Sequence, residues 1–119
     1  MFLVGDAAGF ADPLTAEGIS NAIFSGIMAA DSIIEGKLDV KASEKLYTEK
    51  LETSLIPELK VGVRLSKMFY DNETIRNFLM KKFGDRICDG MTQILIGERT
   101  YPTDIIKRVR KKLGKAIFS

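Results

Sequence analysis

The sequence predicts a mainly α fold, with one short N-terminal strand followed by about six helical segments. Three observations lead there. Apolar residues recur at spacings of three and four along most of the chain, the signature of a helix with one buried face. Gly, Pro, Asp and Asn punctuate that pattern at the intervals expected of helix ends. Only residues 1–4, "MFLV", read as a strand, and turn residues follow them at once.

Taken in order, residues 5–15 read as a loop restricted by Pro13, and Thr15 is the expected N-cap of the first helix, with Glu17 in its first turn. From Gly18 the helical pattern runs through Ile19, Ala22, Ile23, Gly26, Ile27, Ala30, Ile33 and Ile34, and Gly36 is placed to end it. Ala22, Gly26 and Ala30 form a row of small residues four apart, which predicts close packing against another backbone along that row. A second helical stretch, residues 41–69, carries Leu46, Tyr47, Leu51 and Leu55 on one stripe; Pro57 predicts a break near Ile56. Asp71 is the expected cap of a short helix over residues 72–83 ended by Gly84, and Asp85 opens another that ends at Gly97. "ERTYP" reads as a loop, and a last helix begins at Thr103 or Asp104 and reaches about Ile117.

Composition excludes several functions. There is no histidine, so neither a zinc site built on imidazole nor a Ser-His-Asp hydrolase fits within the chain. The single cysteine, Cys88, forms no internal disulfide; it reads as a buried, inert thiol between Ile87 and Met91 and suggests a reducing, cytoplasmic setting. No apolar run approaches the roughly 20 residues that span a bilayer, and the N-terminus does not read as a signal peptide. Residues 103–119 hold six basic residues and one acid, whereas the rest of the chain is net acidic. The last segment, with Ile105, Ile106, Val109, Leu113 and Ile117 on one face, reads first as a packed helix with a solvated basic side. Its alternative is a peripheral contact with an anionic membrane surface. No nucleic-acid motif is present, and no metal site is expected.

The stretch "VGDAAGFADPLTAEGI", residues 4–19, asks for more than a turn. It sets acids and glycines between an apolar tetrapeptide and a helix N-terminus. Such a terminus carries N–H groups without intrahelical partners and a partial positive charge, which favours an anion or an electron-rich ring edge. Asp6 is placed to accept hydrogen bonds from hydroxyls, and Gly18 lets a flat ligand approach the backbone. The plainer reading is a strand–turn–helix with ordinary turn residues.

This stretch resembles the second flavin-contacting motif of FAD-dependent oxidoreductases related to the aromatic hydroxylases. More narrowly it is similar to the geranylgeranyl reductase family, with its "GDAAGF…PLTGEGI"-like segment. That family carries Gly where this chain has Ala16. The likeness is specific over residues 4–34 and looser through "MFYDNETIRNFL", "ILIGERTYP" and the basic end. It implies that the chain is the C-terminal fragment of an α/β FAD-binding fold. Residues 1–36 would then be the last strand, loop and helix of the FAD domain, and residues 37–119 a C-terminal helical region. It also implies that FAD is contacted by Asp6 (ribityl chain), Pro13 (near the ring) and Gly18 and Ile19 (pyrimidine edge). The implied reaction is reduction of double bonds in a prenyl-lipid substrate. No residue stands out as the proton donor.

No G-x-G-x-x-G fingerprint occurs, so the half that would hold the ADP moiety is expected from outside this chain. The isolated chain is therefore expected to bind FAD weakly or not at all and not to be a competent enzyme. The rival reading is a small all-helical interaction protein that covers the residue 19–34 face by self-association.

Overall fold

The computed structural model describes residues 1–96, together with Arg108 and Lys111. The order of elements is a 3-10 turn, Gly5–Ala8, then α1 (Ile19–Glu35), α2 (Val40–Thr53), α3 (Leu55–Tyr70) and α4 (Glu73–Leu95). The mainly α class holds. Among the described residues the expected strand is absent and four helices stand where five were expected, because the segments predicted over 72–83 and from Asp85 are one helix; the last predicted helix lies, apart from Arg108 and Lys111, outside the described residues.

Residues 1–4 are irregular because no second strand among the described residues is there to pair with them. Their polar groups go to side chains instead. The Tyr47 hydroxyl donates to the Leu3 carbonyl at 2.7 Å, and the terminal ammonium of Met1 reaches Glu44 at 2.5 Å. The next residue, Gly5, donates its N–H to the Ser25 hydroxyl at 2.9 Å. It sits at φ 56° with Ala22 of α1 so near that a Cβ would stand 2.9 Å from the alanine methyl. Only glycine satisfies both the left-handed backbone and that approach.

The helix ends also differ from expectation. Gly18, not Thr15, is the N-cap of α1, and the Glu17 carboxylate accepts from Ser20 N at 3.0 Å. Gly36 is the C-cap at φ −74°, while Lys37 and Leu38 take the left-handed conformations of the turn. Asp39 caps α2 through Ala42 N at 2.7 Å. The chain breaks at Ser54, earlier than Pro57 suggested, because proline is tolerated in the first turn of α3, where its missing N–H has no intrahelical acceptor to lose. Asn72, not Asp71, caps α4 through Ile75 N at 3.0 Å. α4 runs unbroken through Gly84: a mid-helix glycine costs roughly 1 kcal/mol but does not end a helix without a left-handed turn.

Contacts divide the chain into Met1–Lys60 and Val61–Ser119. The core of the first unit gathers Phe10, Met28, Ala29, Tyr47 and Leu55, with Phe2, Ala8, Leu51, Ile56 and Leu59 against it. In the second unit Leu65 and Leu79 are buried, and the Lys82 ammonium lies over the rings of Phe78 and Phe83. Cys88 is exposed rather than buried. No described helix is long and apolar enough to cross a membrane.

α1 packs on α2 and on the 3-10 turn. Its inward side is small and partly polar: Ser25, Met28, Ala29 and Ser32, closed by Gly36. Its isoleucines face outward, with Ile19 73% and Ile34 72% exposed and Ile23 and Ile27 more than half exposed. The predicted close contact along Ala22–Gly26–Ala30 is confined to Ala22, since a Cβ on Gly26 would meet nothing within 4 Å. The tight glycine is Gly36, whose Cβ would collide with the Ser43 hydroxyl and stand 2.9 Å from Ser32 O and Ser43 N. Chemical denaturation of two variants separates these positions. Gly26→Ala is expected to stabilise by about 1 kcal/mol through helix propensity. Gly36→Ala is expected to destabilise by about 1–3 kcal/mol through overpacking against backbone.

Candidate functional site

The loop that joins the 3-10 turn to α1 is organised from within. Gly9 N and Phe10 N close the turn on Asp6 O and Gly5 O at 3.0 and 3.1 Å. Asn21 of α1 reaches back to hold Phe10 O at 2.7 Å. Beyond Phe10, Asp12 is buried, and its carboxylate oxygen Oδ1 accepts from Leu14 N at 2.8 Å and Thr15 N at 2.9 Å. Asp12 N donates to Glu17 O at 2.7 Å, and Ala16 N donates to Asp12 O at 2.8 Å. The segment is thus a closed loop whose ends lie beside Pro13 and Gly18. Asp followed by Pro is a recognised turn opening, which is the sequence signal by which Asp12 could have been singled out. The Glu58 carboxyl of α3 is held above the usual carboxylate range, first by burial and then by the charge of Asp12.

Of the four residues singled out from sequence, three come together. The exposed Asp6 carboxylate hangs over the start of α1, with Oδ1 2.5 Å from the point where a Cβ on Gly18 would lie. Ile19 follows Gly18 and is exposed. Pro13 is half-buried and is held in the same segment through its neighbour Asp12. The helix start is not sealed by a side chain of its N-cap residue, so the mouth combines an acceptor, Asp6, with the positive end of the α1 dipole. No group of metal-ligand residues occurs among the described residues.

The chain is a distant homologue of the geranylgeranyl diphosphate reductases. It is 34% identical over 95 residues to the chloroplastic geranylgeranyl diphosphate reductase of Arabidopsis thaliana and 37% identical over 95 residues to that of Nicotiana tabacum. An uncharacterized protein of Methanosarcina barkeri is 40% identical over 74 residues. The matches to the two plant proteins take in 76% of this chain but 20% of each of those proteins, so the chain spans about a fifth of the length of these relatives. No protein-family model matches, and no solved structure matches.

Ala16 sits at φ 58°. This is the position at which the similar flavoenzyme motif carries glycine, and the left-handed backbone is the physical reason for that preference: a Cβ there costs about 1–2 kcal/mol. Ala16→Gly removes the strain but gains unfolded-chain entropy. The net expected effect is a stabilisation of about 0.5–1 kcal/mol, read as a raised denaturation midpoint with an unchanged slope.

Proposed function

We propose that this chain supplies the flavin-ring edge of an FAD-dependent prenyl reductase. The observation that carries the reading is the Asp6 carboxylate set over the start of α1 at Gly18, in the stretch that resembles the family motif. The residues suit such a cofactor along one edge. Asp6 offers an exposed acceptor for sugar-alcohol hydroxyls. Gly18, having no side chain, lets the Asp6 carboxylate lie against the first residue of the helix start, and that helix start favours negative charge building on a ring edge. The bound flavin would supply the reducing equivalent for an isoprenoid double bond; Asp6 and Pro13 would help to orient the cofactor, and the Gly18 and Ile19 amides would face the ring edge and favour its reduced, anionic form. The ADP half of the cofactor would be held by a polypeptide segment outside this chain, and the prenyl lipid is the substrate of the whole assembly. The lack of a disulfide-bonded cysteine pair suits a reducing compartment, and a peripheral membrane contact through the basic C-terminal segment belongs to the same reading.

The test is a protein in which the chain is joined to the FAD-binding half of a homologous reductase. Asp6→Ala is expected to weaken FAD retention roughly ten- to a hundredfold, the worth of a hydrogen bond to a charged acceptor. Thermal stability should barely change, because Asp6 is exposed. Gly18→Ala, whose methyl displaces the Asp6 carboxylate, is expected to act in the same way with Asp6 intact. Unchanged affinity in both variants would remove this mouth from the cofactor site.

A second reading has its own observation, the outward isoleucine face of α1. On that reading the chain is a helical interaction protein that buries Ile19, Ile23, Ile27 and Ile34 by self-association. Light scattering of the chain over a concentration series is expected to show association. Substitution Ile23→Lys with Ile27→Lys should abolish it, and a monomer at high concentration would end this reading.

A further inference from the structure

We propose that Asp12 is the positioning residue of the α1 mouth, setting Gly18 and Ile19 in register with Asp6. As a statement about flavin binding this rests on the function proposed above; as a statement about the mouth it stands alone. Asp12 bonds to four consecutive residues. Its Oδ1 takes Leu14 N and Thr15 N, its carbonyl takes Ala16 N, and its N–H goes to Glu17 O. The next residue is Gly18, where α1 begins, and Glu17 also accepts from Ser20 N in the first turn. The path of the chain into the helix is therefore fixed by one side chain and its own peptide groups.

The burial and the strain of the loop point the same way. Asp12 is 7% exposed, so its carboxylate is committed to this loop rather than to solvent. The loop also holds Ala16 in the left-handed region, a conformation that persists only where surrounding bonds over-determine it. A binding edge held in place before its ligand arrives loses less ordering entropy on binding. The bonds to Leu14 N and Thr15 N fall on one oxygen, Oδ1. An asparagine carbonyl at the same place can accept both N–H groups.

The experiment compares the unaltered chain with Asp12→Ala and Asp12→Asn, by amide NMR of the chain and by FAD titration of the same variants joined to the FAD-binding half of a homologous reductase. In Asp12→Ala, hydrogen exchange at Leu14 and Thr15 is expected to quicken at least about tenfold, and the Gly18 and Ile19 amide resonances to move. Apparent FAD affinity should fall at least about tenfold. Resonances of Ala29 and Tyr47 in the α1–α2 core should stay in place, which a general loss of stability would not allow. Asp12→Asn is expected to restore all of these. Unmoved Gly18 and Ile19 resonances in Asp12→Ala, or an asparagine variant that behaves like alanine, would overturn the proposal. Should the alanine variant not fold, Asp12→Ser supplies a weaker acceptor in the same kind of turn. Intermediate exchange with displaced Gly18 and Ile19 resonances would then support the proposal, and native resonances despite lost protection would overturn it. If the mouth responds as described while the joined protein holds FAD equally well with and without Asp12→Ala, the flavin part fails and the positioning of α1 by Asp12 stands.

Discussion

The close approach of α1 and α2 is the constraint on which the first unit depends. Two helices can come that near only where one of them presents small side chains, and α1 does so with Ser25, Ala29, Ser32 and Gly36. Gly36 lies so close to Ser43 that no side chain fits between them. Met28 and Tyr47 then fill the space to either side and join Phe10 and Leu55 in the core. From this pairing the rest follows: Tyr47 is placed to hold Leu3, Ser25 to hold Gly5, and α1 to present its first turn to the loop that carries Asp12. It also decides which side of α1 faces outward. With the small side committed to α2, Ile19, Ile23, Ile27 and Ile34 are left more than half exposed.

Periodicity made the helices visible, but not which face each would bury. For α1 the largest apolar residues suggested the interior, and the interior went to serine, alanine and glycine instead. Hydrophobicity gives the strength of burial per unit area, while approach distance decides which helices can pair at all. The helix ends were legible to within a few residues, and the misses share a cause. Thr15, Asp71 and Gly84 each have the right chemistry for an end, yet Gly18, Asn72 and continued helix took those places. A strand of four residues was readable as apolar and extended but could not be one without a neighbour to pair with.

At the candidate site the sequence brought forward Asp6, Gly18 and Ile19, and the structure sets them at one helix start. What it did not single out was the organiser. Asp12 looked like one more acid in an acidic turn, and its importance lies in bonds to its own neighbours, which composition does not reveal. The left-handed Ala16 explains why glycine suits that position in the similar motif, a point that only a backbone angle can make.

The buried hydroxyls between α1 and α2 have a consequence for how this sequence can drift. Ser32 donates to Met28 O of its own helix, Ser25 donates to Ala22 O and accepts from Gly5 N, and Ser43 Oγ has no hydrogen-bond partner among the described residues. None of these bonds joins one helix to the other, so the seam is recognised by size and not by polarity. At Ala29 and Ser32 exchange between serine and alanine should cost little, whereas a valine or threonine would force the helices apart. Homologues are therefore expected to vary freely in chemistry at these positions while staying confined in volume, a pattern that a search for conserved residue types would overlook.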